Sequence, residues 1–134
     1  MNMFIRSHAG FKIEADKAKA IIRNAKVVAS DETGVRIEGT NSYHWVFHCK
    51  DAVVHQPDYS RAARVVHEMM NGRMPDVWIS DRYSAQQKHG ARHQTCLAHL
   101  KRAIKTAKGT HSSRRVAVGT KHAETALAHF EAVK

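Results

Sequence analysis

The sequence predicts an α/β domain. A mixed sheet combines a three-strand antiparallel meander with parallel strands and is flanked by helices. Three observations predict it. Short β-rich segments follow one another between residues 27 and 56. An amphipathic helical pattern then crosses over residues 60–72. A second short apolar run, Val77-Trp78-Ile79-Ser80, follows that helix. A strand, a crossover helix and a further strand place the second strand parallel to the first.

The elements follow in order. Residues 12–26 read as a helix, with Ile13, Ala18, Ile21, Ile22 and Ala25 forming a thin apolar stripe at helical spacing. Val27-Val28-Ala29-Ser30 is too short for a helix and reads as a buried strand, punctuated by Gly34. Residues 35–38 and 43–48 read as strands joined by a turn at Gly39-Thr40-Asn41-Ser42, and residues 52–56 as a third. Pro57-Asp58-Tyr59-Ser60 breaks the sheet, with Ser60 placed to cap the next helix. Ala62, Val65, Val66, Met69 and Met70 form that helix's apolar face, and Asn71-Gly72 close it. Residues 83–89 read as a short helix, His93–Cys96 as a weakly apolar strand, and Leu97–Lys108 as a helix with Leu97, Leu100, Ile104 and Ala107 inward. A last helix is expected from about Lys121 to Val133. Domain boundaries are expected at 1–11 for an N-terminal extension, 12–108 for the core, and 109–134 for a basic linker with the last helix.

Charge narrows the function classes. The net charge is +10, and from Arg82 to Ala123 there is no Asp or Glu but ten Lys or Arg. The remaining residues hold twelve cations and twelve acids, so all the excess lies in one stretch. Cations docked on phosphate release counterions, which makes a nucleic acid the natural partner. Lys101, Arg102, Lys105, Lys108, Arg114 and Arg115 are the candidate contacts; a plain basic surface is the alternative. No apolar run approaches a membrane span, and no signal peptide is visible at the N-terminus. A cytoplasmic location beside the bacterial nucleoid is therefore expected, with Cys49 and Cys96 as free thiols.

Two acids stand in equivalent places. Asp31 follows Val-Val-Ala-Ser and Asp81 follows Val-Trp-Ile-Ser. On adjacent parallel strands, both carboxylates project at the edge where α/β sheets bind ligands. Close carboxylates repel unless a cation lies between them, and oxygen ligands suit Mg²⁺ or Mn²⁺. Such ions stabilise the attacking and leaving oxygens of phosphodiester chemistry. The competing reading makes both residues ordinary turn or cap residues after a strand. His93, Cys96 and His99 have ligand types that suit zinc, but no fourth ligand has suitable spacing.

Four motifs carry a family resemblance. Asp31-Glu32-Thr33-Gly34-Val35-Arg36-Ile37-Glu38-Gly39 with His44-Trp45-Val46-Phe47, then Ser60-Arg61, then Ser80-Asp81-Arg82-Tyr83-Ser84-Ala85, and then Arg92–Arg102 with its Cys96-Leu97-Ala98-His99-Leu100 segment stand in order along the chain. Together they resemble the catalytic region of insertion-sequence sixty-six transposases. The resemblance implies a ribonuclease H-like fold and DNA strand cleavage and transfer. It also implies Asp31 and Asp81 as the first two acids of an Asp-Asp-Glu triad binding Mg²⁺ or Mn²⁺, and transposon ends and target DNA as partners. Self-association or other transposase subunits are further expected partners. His99 is a candidate support for the active site, or part of helix packing. Arg82 stands where the family usually has Gly, and Leu97 where it usually has Trp. The third acid is expected well downstream; Glu124 and Glu131 are the only acids after Asp81. The resemblance therefore implies a truncated core. The alternatives are a remnant that binds nucleic acid without cutting it, and a small interaction module.

Overall fold

The computed structural model describes residues 3–109, and side chains within 10–106. The helix expected near 121–133 lies outside them, as do Arg114, Arg115, Glu124, Glu131 and the side chain of Lys108. The chain divides into two compact units, Met1–Gln94 and Thr95–Lys134.

In the first unit, α1 (Met3–Asn24) precedes β1 (Val27–Ile37), β2 (Thr40–His48) and β3 (Val53–Asp58). Then come α2 (Ala63–Met70), β4 (Val77–Ser80), a 3₁₀ turn (Ser84–Gln86) and β5 (Arg92–Thr95), whose last residue falls in the second unit. The sheet order is β3-β2-β1-β4-β5. β1–β2 and β2–β3 are antiparallel, while β1–β4 is parallel. An antiparallel meander followed by a helical crossover to a parallel strand beside β1 is the ribonuclease H-like arrangement expected from the sequence.

One face of the sheet builds the core. Alternation along β1 turns Val28 and Ser30 inward. Trp78 and Ser80 of β4, and Trp45 and Phe47 of β2, are also buried. α2 covers this side with Val65, Val66, Met69 and Met70, as its periodicity predicts. Asn71 closes α2 in the left-handed region, its N–H donating to His67 O.

Five local expectations are corrected. β1 is one strand of 11 residues, where the sequence suggested two strands broken at Gly34. Gly34 pairs with Tyr43 inside the ladder. The turn is the two residues Glu38 and Gly39, both at positive φ (50° and 77°), the conformation that matches the twist of a tight hairpin. Pro57 lies within β3, which is tolerated because β3 is an edge strand. Ser60 caps no helix: α2 starts after Ala62, and the Ser60 hydroxyl accepts from Ala62 N in a local turn. In α1, which starts at Met3, only Ile22 of the large stripe residues is buried, while Ile13 and Ile21 are exposed.

Two residues of the β4–β5 connection have measurable consequences. A Cβ at Gly90 would lie 2.8 Å from Trp78 N and 2.9 Å from Trp78 Cβ. Backbone cannot yield as a flexible side chain does, so Gly90→Ala is expected to cost about 1–3 kcal/mol. A urea midpoint equal to wild type would contradict this. His89 is buried, donates from Nε2 to Ala85 O at 2.8 Å, and meets His67 and Trp78 edge-on. Burial pushes its imidazole below the ordinary 6.5; the Ala85 bond opposes this, and the charges of His67 and His93 add to it. The native state thus prefers neutral His89. Its contribution is complete above the unfolded value of 6.5 and is lost as pH falls through the lowered native value. His89→Gln should flatten that acid-side loss relative to wild type in denaturant midpoints measured across the range. Parallel curves for the two proteins would refute it.

The second unit contains α3 (Leu97–Gly109). Ile104 is buried and Leu100 half-buried, whereas Leu97, expected inward, is 46% exposed.

Candidate functional site

The site is set by the register of two parallel strands. Val27, Val28 and Ala29 pair with Val77, Trp78 and Ile79. Two residues beyond the last pair on each chain stand Asp31 and Asp81, at the same step past the ladder. Neighbouring strands run about 5 Å apart, so the topology brings the two acids together. Asp31 lies within a strand that β2 continues to pair, rather than past a strand end as the sequence suggested. Asp31 is exposed and Asp81 half-buried. The Asp81 Oδ1 accepts from Tyr83 N at 2.9 Å, and the Asp31 Oδ1 from Glu32 N at 3.0 Å.

Beneath these acids, on the core side, lies a polar cluster that the sequence reading did not find. The Glu32 side chain is 1% exposed and is held by Arg61, whose Nε donates to Oε1 at 2.6 Å. Arg61 lies just before α2 and rests its guanidinium 3.8 Å over the Tyr83 ring. Burial lowers the Arg61 pKa, but the Glu32 hydrogen bond and charge, with smaller contributions from Tyr83 and Asp81, raise it above its usual value on balance. Gln86, fully buried, accepts from Ser30 Oγ and donates from Nε2 to Glu32 Oε2. Ser80 Oγ lies 3.1 Å from Gln86 O and 2.9 Å from His93 Nε2.

Glu32 follows the inward parity of Val28 and Ser30, which is the signal that would have found it. An acid at that parity needs a cation, and Arg61 belongs to a motif already singled out. Gln86 carried no signal, since nothing in its local pattern marks it as buried.

The donor chemistry of Asp31 and Asp81 suits a hard divalent cation. Mg²⁺ retains waters and is commonly held by one or two carboxylates together with substrate phosphates. Among the described residues no group of three His, Cys, Asp or Glu side chains converges to hold a metal. Glu32 does not supply a third ligand, because it turns to the core and is engaged by Arg61 and Gln86. Lys101, Arg102 and Lys105 are exposed on α3, and His99 is half-buried on the same helix, all in the second unit. No helix among the described residues is long and apolar enough to cross a membrane.

Topology defines the class, a ribonuclease H-like domain, with Asp31 and Asp81 at the same step past the β1–β4 ladder. The family model described as transposase IS66 family matches residues 1–134. The chain belongs to that family. No curated protein gives a significant match. A solved chain of the simian T-cell lymphotropic virus intasome in complex with PP2A regulatory subunit B56 gamma is similar at 13% identity and a TM-score of 0.41. That match covers 70% of this chain and 46% of the matched chain. The chain thus aligns with less than half of that protein's length.

Proposed function

We propose that this chain contributes two acids, Asp31 and Asp81, to a Mg²⁺- or Mn²⁺-dependent centre for DNA strand cleavage and transfer. The supporting observation is their shared step past the β1–β4 ladder. Asp31 and Asp81 would hold a divalent ion there, which would supply charge stabilisation to the phosphoryl oxygens. Water is the nucleophile for cleavage and a DNA 3′-hydroxyl for transfer. The exposed Lys101, Arg102 and Lys105, with Lys108, Arg114 and Arg115, meet the DNA backbone, and the protein works in the cytoplasm on transposon ends and target DNA. Glu124 and Glu131 are the candidates for a third acid.

The test is Mn²⁺ titration by calorimetry, with nicking of plasmid DNA in Mg²⁺ or Mn²⁺. Asp31→Asn and Asp81→Asn should each abolish both ion binding and any nicking. Unchanged Mn²⁺ binding in both variants would overturn the reading. A second reading, DNA binding without cutting, is favoured by the two-acid count among the described residues. It holds if the wild-type chain binds DNA and Mn²⁺ yet leaves plasmid intact.

A further inference from the structure

Leaving a buried polar group without a partner is costly, so the fully buried glutamine of the 3₁₀ turn has to be accounted for by its bonds. Gln86 is held at both ends. Its amide bridges Ser30 and Glu32, two inward positions of β1 on either side of Asp31 in sequence. Its main-chain carbonyl faces the hydroxyl of Ser80, the β4 residue immediately before Asp81. The intervening segment is fastened as well: Tyr83 N donates to Asp81 Oδ1, and Gln87 Nε2 donates to Asp81 O at 3.1 Å. Arg61 closes the cluster by binding Glu32 and covering Tyr83.

We infer that Gln86 is a positioning residue, fixing the segment that carries Asp81 against the strand that carries Asp31. The inference rests on the reading of those acids as a metal pair. An amide meets both demands of the site. It offers an acceptor to the Ser30 hydroxyl and a donor to the Glu32 carboxylate. A hydrocarbon offers neither, and an ionised carboxylate repels Glu32. Its bonds go to Ser30, Glu32 and Ser80, so Gln86 acts through the segment that carries Asp81.

Two measurements on the full chain test this. The first is Mn²⁺ affinity, where Gln86→Leu should weaken binding by about tenfold to a hundredfold, the usual effect of losing a partner behind a metal ligand. The second needs no metal. Cα atoms about 5 Å apart on neighbouring strands lie within disulfide range. Asp31→Cys combined with Asp81→Cys should therefore crosslink, as mapped by mass spectrometry, and adding Gln86→Leu should slow that crosslink several-fold. If Gln86→Leu matches its parents in both measurements, the inference is overturned. If Asp31→Asn and Asp81→Asn bind Mn²⁺ like wild type while Gln86→Leu still slows the crosslink, the metal reading fails and the positioning role stands. Should Gln86→Leu not fold, Gln86→Asn takes its place in both measurements, because it keeps the amide but shortens its reach to Ser30 and Glu32. Weaker Mn²⁺ binding and a slower crosslink are expected, and values equal to the parents would overturn the inference.

Discussion

Trp45→Ala will lower the stability of the first unit by about 3–5 kcal/mol, the range for deleting a buried aromatic side chain. Trp45 is fully buried and stacks on Phe47 with ring centroids 5.9 Å apart; Phe47 in turn tilts against Trp78. Its Nε1 also donates to Ser60 O at 3.0 Å, next to Arg61. The substitution therefore removes apolar contact from the centre of the core and releases the segment that delivers Arg61 to Glu32. A domain of this size commonly has only about 5–15 kcal/mol in total, so the melting temperature should fall by roughly 15 °C or more. A conservative pair separates area from hydrogen bonding. Trp45→Phe loses the bond to Ser60, whereas Trp78→Phe removes a buried indole N–H that has no hydrogen-bond partner among the described residues. Trp45→Phe should therefore cost more than Trp78→Phe. A melt of Trp45→Ala within a few degrees of wild type would refute the first expectation, and the reverse order of the Phe variants the second.

What the sequence disclosed and what it hid have separate physical causes. The α2 periodicity and the run Val77–Ser80 are local signals. With the handed crossover they were enough to set β4 parallel to β1 and Asp81 level with Asp31. The length of β1 was hidden because Gly34 reads as a breaker. Its place in the strand depends on pairing with Tyr43 nine residues away, a tertiary effect that local propensity does not record. With the strand running through Asp31, Glu32 points away from it, as alternation requires; what the sequence hid is its tertiary partners, Arg61 and Gln86. The bonds that tie Gln86 to β1 span 54 and 56 residues, and no pattern of apolar spacing encodes them. The family motifs drew attention to Ser60-Arg61 without giving Arg61 a task. The buried carboxylate of Glu32 supplies one.

DNA affinity, on the proposed reading, will depend steeply on salt. The acid-free stretch from Arg82 to Ala123 carries ten cations, and Lys101, Arg102 and Lys105 are exposed on α3. If about five cations meet phosphate on duplex DNA, log affinity falls against log salt with a slope near −4.5. Between about 50 and 200 mM salt that slope is a loss of roughly 500-fold. Lys101 and Lys105 stand one helical turn apart, so they face the same side and reach the same stretch of backbone. Removing both, as Lys101→Ala with Lys105→Ala, should flatten the slope by about 1.8. Asp81→Asn removes a negative charge without touching a cation, so binding should hold or strengthen slightly while the slope stays put. Fluorescence anisotropy with a labelled duplex across a salt series measures all three proteins. Binding indifferent to salt, or a slope unchanged by loss of the two lysines, would remove α3 from the interface. The second unit would then need some other reason to concentrate its charge.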